Sequence, residues 1–338
     1  MSPNYVNRGQ SSRQANQDFL TTFTPDLSVG FPVVDNNSDD FTPYERKCTG
    51  SSVFEDEYIL EHGRTYQAYK PGQYFLPNDG EEQDRLDMQH VAIMLIMKRR
   101  LYWAPIEEPA NVLDIGTGTG IWAIDFANEH PSSRVFGTDL SLIQPRQNVP
   151  PNCIFAREDA EYDAWTFDPA LFDYVHLRMM FSCFDDPRAV MARARAHMAP
   201  GGWIEFQELF ADFQSFDGSH AGTALERWTR LLVAGAAAAG SGNGSGPGRS
   251  LLRVRDYKRL LEAAGFVDVR EELVPFPCSQ WAGDGAFKDA GRFTATLLSQ
   301  RGLEGVSLKL LVAAGLSPAE IRQLIADVLR DLRNRNIQ

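Results

Sequence analysis

The chain has 338 residues, 33 Lys and Arg against 45 Asp and Glu, and a formal net charge of −12. Nucleic-acid binding draws on clustered basic charge, so this balance argues against such a partner. No stretch approaches the roughly 18 apolar residues of a membrane span, and the four cysteines (Cys48, Cys153, Cys183, Cys278) have neither disulfide-framework nor zinc-ligand spacing. A thiol-reduced cytoplasmic protein without membrane, nucleic-acid or metal partners is the expectation from composition.

Residues 1–54 are rich in Asn, Ser, Gln, Thr, Asp and Pro without apolar periodicity, and read as a flexible arm. Residues 55–108 differ. Aromatics crowd at Tyr58, Tyr66, Tyr69, Tyr74 and Phe75, the turn Pro77-Asn78-Asp79-Gly80 follows, and Glu82–Tyr102 is expected as a helix with Leu86, His90, Ile93, Met97 and Leu101 on one face. From residue 109 to 338 a main domain is expected. Its short apolar runs Val112–Ile115, Arg134–Thr138, Cys153–Ala156, Phe172–His176 and Trp203–Gln207 alternate with helical stretches, the pattern of a parallel sheet with helices on both faces. A helical cap is inserted over 210–250, where the helix Leu225–Ala239 runs into the glycine-rich stretch 240–248, read as a mobile loop. An amphipathic helix over Leu251–Ala264, a strand at Val267–Val274 and a mostly helical C-terminus follow. The last helix opens on Ser317 as cap, Pro318 in its first turn and Glu320 three residues after the cap.

The most informative segment is Val112-Leu113-Asp114-Ile115-Gly116-Thr117-Gly118-Thr119-Gly120. A strand that runs through closely spaced glycines into a helix lets a ligand approach bare backbone. The window Gly118-x-Gly120-x-x-Ala123 also fits a dinucleotide pattern loosely. Asp114 before the glycines would repel a pyrophosphate but pair with an ammonium such as that of S-adenosylmethionine (SAM). Asp139, with Leu140 after it, closes the second strand where its carboxylate can accept from both ribose hydroxyls; Asp159 and Ala160 follow the third strand, where an exocyclic adenine amine needs an acceptor. Acids at successive strand ends fit a cationic nucleoside better than a dinucleotide.

On these residues the chain resembles a class I SAM-dependent methyltransferase. More narrowly it resembles the fungal secondary-metabolism methyltransferases of the LaeA type, through Gly63–Tyr69, Tyr74–Asp79, Glu82–His90, Asp114–Gly120, Phe172–Arg178 and Met198–Glu205. The resemblance implies a Rossmann-like sheet, SAM as cofactor, and Asp114, Gly116, Thr117, Gly118, Gly120, Asp139, Leu140, Asp159 and Ala160 as its site, and Tyr66, Tyr69 and Tyr74 with Arg64 are expected as an aromatic lid over the sulfonium or, alternatively, as packing against the first helix. It also implies a seventh, antiparallel strand, which the sequence does not show after the helix at 317–335. Either another segment supplies that strand, or a second copy or another partner covers an open sheet edge.

Methyl transfer needs alignment of nucleophile, methyl and sulfur, and a base only where the nucleophile holds its proton tightly. His176 and Arg178 at the end of the fourth strand, and Glu208 past the fifth, are the expected catalytic set; each has a structural alternative, a buried hydrogen bond, an ion pair or solvation. Met179 and Met180 suit either a pocket wall or core. The expected reaction is methylation of an O or N atom of a small molecule, a fungal secondary metabolite. Two other readings stand beside it: a LaeA-like regulator acting through protein partners, nuclear rather than cytoplasmic, and a SAM-binding catalyst of a pericyclic rearrangement that transfers no methyl.

Overall fold

The computed structural model describes residues 58–162, 164–239, 249–279, 285–334, 336 and 337. The expected arm at 1–54, and the glycine-rich stretch 240–248, lie outside the described residues.

A short antiparallel ribbon, β1 (Tyr58–Glu61) and β2 (Arg64–Gln67), precedes helix α1 (Gly80–Ile96). Asp79 caps α1 by accepting from the Glu82 backbone N–H, and the same carboxylate holds Arg64 through two short bonds of 2.6 and 2.7 Å. The buried face of α1 carries Glu82 and Arg85, ion-paired to each other at 2.7 Å, beside His90, Ile93 and Ile96. The helix ends earlier than its apolar spacing predicts. Lys98 and Arg99 adopt left-handed backbone, and the reversal returns Leu101 to the core. The Leu101 carbonyl there accepts from Trp122 Nε1 and Gln207 Nε2.

Five parallel strands follow: β3 (Asn111–Ile115), β4 (Arg134–Asp139), β5 (Cys153–Arg157), β6 (Phe172–Arg178) and β7 (Met198–Gln207), in the order β5-β4-β3-β6-β7. Helix α2 (Ile121–Glu129) follows β3, and α3 (Pro187–His197) lies between β6 and β7. The central strands are buried on both faces, which explains their unbroken apolar runs. This is the expected α/β, Rossmann-like architecture. β3 stands where the strand order reverses, so the chain leaves its carboxyl end to one side and returns on the other, opening a crevice there. β7 begins five residues before its expected start, at Met198, and its register slips against β6 between Phe172 and Tyr174. Gly201, at φ +84°, and Gly202, whose missing Cβ would meet two carbonyl oxygens at 3.0 Å, let the strand pass through the Pro200-Gly201-Gly202 kink.

Helices α4 (Ala224–Ala239), α5 (Tyr257–Ala263), α6 (Gly285–Leu297), α7 (Gln300–Ala313) and α8 (Pro318–Leu332) complete the described chain. Over the expected helix Leu251–Ala264, a 3-10 turn at Arg253–Asp256 precedes α5. The expected strand at Val267–Val274 does not form. Among the described residues this segment has no ladder partner, and Val267 and Leu273 lie open to solvent. Strand-forming residues without a neighbouring ladder have no regular bonds to make. No antiparallel strand joins the sheet among the described residues, and β7 is bonded on one side only. No described helix is long and apolar enough to cross a membrane.

Candidate active site

The crevice at the carboxyl ends of the strands is lined by Asp114, Gly116, Thr117, Gly118 and Thr119 from the β3–α2 loop. Asp139, Leu140 and Ser141 follow β4 on its wall, and Glu158, Asp159, Ala160 and Glu161 follow β5. Arg178, Met179, Met180, Cys183 and Phe184 come from beyond β6, and the N-terminal part adds Gln67, Gln73, Tyr74, Asn78, Leu86, Gln89 and His90. The expected cofactor residues of the sheet are thus brought together, with the exception of Gly120. That residue does not line the crevice. It starts α2 at φ +82°, and a Cβ there would strike the Phe155 ring at 2.5 Å, so its place is set by packing.

Asp139 accepts from the backbone N–H groups of Gly118 (2.9 Å) and Ser141 (2.8 Å). Burial nevertheless pushes its carboxyl up to about 6, the two amides opposing and nearby Asp114 reinforcing the shift. Asp159 accepts from the Glu161 N–H, and Lys70 Nζ lies 3.4 Å from its other oxygen.

Asp114 is nearly buried, and its oxygens accept from Thr117 Oγ1 (2.6 Å) and meet His176 Nδ1 (2.7 Å). A carboxylate only accepts, so Nδ1 carries the proton. His176 is wholly buried, its ring stacked on Trp122 with centroids 3.7 Å apart, and Nε2 has no partner. It does not line the crevice. The expectation of an imidazole facing substrate is therefore corrected: β6 pairs His176 with Asp114 across the ladder, beneath the floor.

Glu208 also lies off the crevice lining. Both its oxygens are buried without a hydrogen-bond partner of good geometry, and burial raises its carboxyl well above the usual range, opposed only by the amides of Phe181 and Met180. Neighbouring Cys183, which does line the crevice, is pushed by burial up to about 12.

Arg178 stands in the wall, and among the described residues its hydrogen bond is to a histidine rather than to the expected acid. Its Nη2 lies 3.0 Å from His90 Nδ1, and the other His90 nitrogen lies 3.0 Å from an Asp125 oxygen. Burial holds the imidazole below its ordinary value, with Arg178 adding to the shift and Asp125 opposing it. His90 and Asp125 escaped the sequence reading as site residues; His90 was placed on the helix face, and nothing local links it to a strand eighty-eight positions on.

The aromatic lid is also rearranged. Tyr66 is buried under Lys309, whose Nζ sits 3.5 Å from the ring centroid, and Tyr69 is exposed beside Lys70 and Arg157. Neither lines the crevice. Along β2 successive side chains point to opposite faces, so Gln67 takes the place expected of Tyr66, and Tyr74 is the tyrosine that reaches the wall.

Met180 closes one side. Its Sδ would lie only 2.2 Å from a Cβ on Gly116, so glycine there is required for the thioether to rest against the loop. Met179, just before it, is left-handed at φ 60°.

A crevice at the strand-order reversal, floored by a glycine turn and rimmed by acids, defines a nucleotide- or nucleoside-binding α/β enzyme. The family described as "Methyltransferase domain" matches residues 87–271, more than half of the chain. "Methyltransferase pytC" of Aspergillus terreus is 33% identical over 297 residues, 87% of this chain and 88% of that protein. "Protein-methionine methyltransferase laeA" of Emericella nidulans is 33% identical over 284 residues, 83% of this chain and 74% of its own length, and "Secondary metabolism regulator LAE1" of Cochliobolus heterostrophus is 32% identical over 84% of this chain and 92% of its own. The chain belongs to the methyltransferase family, of the LaeA and pytC type.

Proposed function

We propose that the protein uses SAM to methylate an O or N atom of a small molecule of fungal secondary metabolism. The observation that carries the cofactor reading is the set of acids at the strand ends, with Asp114, Asp139 and Asp159 in one crevice around the glycine turn at Gly118. This donor set fits the group: carboxylates accept from an ammonium, ribose hydroxyls and an adenine amine, and would repel a pyrophosphate. Asp139 would hold the ribose, Asp159 and Ala160 the adenine edge, Leu140 and Leu86 the apolar faces between. When bound, SAM supplies an electrophilic methyl on a sulfonium. His176 acts as a positioning residue, fixing Asp114 through the Nδ1 bond. Met179, Met180, Tyr74 and Phe184 exclude water from the acceptor side.

A second reading has its own support. Two methionines stand in the crevice wall, and one relative is named a protein-methionine methyltransferase. A thioether acceptor has a lone pair and no proton to lose, so it needs no base. That suits a wall where His176 is sealed beneath the floor and Glu208 lies off the lining.

Incubation of the purified chain with methyl-labelled SAM and a fungal extract separates these readings. Label in a small organic product supports the first, and label in precipitated protein, recovered as methylsulfonium, supports the second. S-adenosylhomocysteine production in neither setting, with SAM bound unchanged, refutes both.

A further inference from the structure

Residues 68–74, between β2 and the buried Phe75, form neither strand nor helix and cross the rim of the crevice as a strap. Gln73 and Tyr74 line the crevice, and Lys70 Nζ lies 3.4 Å from Asp159 after β5, so the strap reaches over an acid read as the cofactor's. Asp159 is only 7% exposed there. A ligand gains that carboxylate when the strap lifts.

The strap is bonded mostly to itself. Gln67 exchanges side-chain bonds with the Lys70 backbone, the Gln73 N–H donates to the Lys70 carbonyl at 3.1 Å, and Gly72 turns through left-handed backbone at φ +82° with open space around it. Its ties outward lie largely at the surface, where solvent screens them: Lys70 is partly exposed beside Asp159, and Tyr69 is exposed beside Arg157. One tie is sealed from water. The Arg249 side chain is 2% exposed; its Nη1 donates to the Gln73 carbonyl, its Nε donates to Asp185 Oδ1 at 2.9 Å, and its guanidinium lies 5.2 Å from the Phe75 ring centroid. Asp185 is a fixed post, because its N–H donates to Glu161 at 2.9 Å and its carbonyl accepts from Arg253 Nη1 at 2.7 Å. A single arginine thus joins the strap, at Gln73 beside Tyr74, to the loop after β6, at Asp185 beside Phe184. It does not line the crevice, so it acts on the walls and not on the ligand.

We infer that Arg249 is the latch of this strap: it holds residues 68–74 shut over the crevice with or without a ligand inside, and its release sets how fast ligand enters and leaves. The identity of the ligand rests on the cofactor reading above; the latch rests on the contacts. A latch closed in both states opposes entry and exit alike, so it governs exchange rates and leaves affinity nearly unchanged. A residue that held the ligand itself would slow exit alone.

Binding of S-adenosylhomocysteine to the immobilised chain, followed by surface plasmon resonance, tests the latch. In Arg249→Met the association and dissociation rate constants should both rise about 10- to 100-fold, the range of one charge-assisted bond, with Kd within about threefold of the wild type. Unchanged rates overturn the latch, as does faster dissociation without faster association. If Arg249→Met does not fold, Asp185→Ala takes its place: it removes the carboxylate of the post, keeps its backbone bonds, and should speed both rates in the same way, unchanged rates again overturning the latch.

A second readout needs no ligand. Burial pushes the Cys183 thiol in the crevice wall up to about 12, with Arg249 opposing, so loss of the arginine's charge by itself makes the thiol less reactive. Lifting the strap has the opposite effect. Labelling of Cys183 by N-ethylmaleimide, read by mass spectrometry of the peptide that carries it, should therefore be faster in Arg249→Met than in the wild type; equal or slower labelling overturns the latch. A wild-type chain that binds neither SAM nor S-adenosylhomocysteine overturns the cofactor reading, a distinct result, and Cys183 labelling then decides the latch on its own.

Discussion

Asp139 shows at the scale of one residue how binding and stability oppose each other. An unfolded aspartate ionises near 3.8, and burial moves this carboxyl to about 6 in the folded chain. The folded state therefore holds a proton that the unfolded state has released between those values, so stability falls as pH rises from about 4 to 6 and stays lower above. A shift of this size corresponds to a few kcal/mol, on the order of 3. Ribose hydroxyls, by contrast, need the ionised acceptor. SAM affinity is accordingly expected to climb through pH 6 and level off above about 7, dropping up to about tenfold per unit well below, with proton release on binding visible when calorimetry is repeated in buffers of different ionisation enthalpy. Asp139→Asn should raise the melting temperature at pH 7.5 and weaken SAM there; a variant that melts lower at pH 7.5 contradicts the burial account. Asp139 was legible from sequence because it ends a strand beside a glycine turn. His90 and Asp125 were not, because their bonds join α1, α2 and β6 and no periodicity encodes such a meeting. Of the expected lid, Tyr74 reaches the crevice while Tyr66 does not, because aromatic crowding carries no face information within a strand of four residues.

Individual elements were read best where local chemistry decides them. Helix α8 begins where the capping residues say it must: Ser317 and Glu320 exchange bonds reciprocally, the Glu320 oxygen accepting from the Ser317 N–H at 2.8 Å. Ser317→Ala should cost about 1 kcal/mol and lower the melting temperature by about 2 °C, while Ser317→Asp should retain most of the stability; calorimetric melts distinguish them. An alanine variant that melts with the wild type would show that Ile321, Leu324 and Val328, buried against the helices beneath, hold the end of α8 unaided. The end of α1 was misjudged for a related reason. Its apolar spacing continues through Leu101, yet the left-handed Lys98 and Arg99 break the helix and still deliver Leu101 to the core, so the pattern survives while the helix does not. At Val267–Val274 composition favoured a strand, and the absence of a described neighbour decided otherwise; pairing is a property of two segments and is invisible in one.

The molecule as a whole carries separate apolar clusters. One joins Trp122, Phe126 and Tyr174 between α2 and the sheet; another joins Trp228, Leu303, Leu311 and Ile325 among α4, α7 and α8, with Phe75. The helical cluster depends on close approach: a Cβ on Gly235 would lie 1.9 Å from the Leu310 carbonyl oxygen, so α4 and α7 touch backbone to backbone. Gly235→Ala should force them apart and lower the melting temperature by several degrees, while SAM affinity changes by less than about threefold because Gly235 lies away from the crevice; a loss of SAM binding at temperatures where the variant stays folded would show that the two clusters communicate. The sheet order was implied by alternating strands and helices, whereas the helical cluster had no sequence signature beyond separate amphipathic stretches.

The one-sided bonding of β7 bears on the behaviour of the protein in concentrated solution. Among the described residues the outer flank of β7 has no ladder partner, and such a flank is a template for any extended chain, including another copy of the same flank. Pro200, which has no N–H to offer, and the kink at Gly201 and Gly202 spoil the first half of that template, leaving Trp203–Gln207 as the stretch with regular geometry. What then keeps copies apart over distance is the mutual repulsion of molecules carrying a net −12. That repulsion reaches only about 8 Å at physiological ionic strength and about 3 Å in molar salt. High salt, a routine choice for keeping proteins dispersed, is for this one the condition expected to favour pairing through β7, and light scattering at rising salt checks it: a mass that stays constant contradicts it.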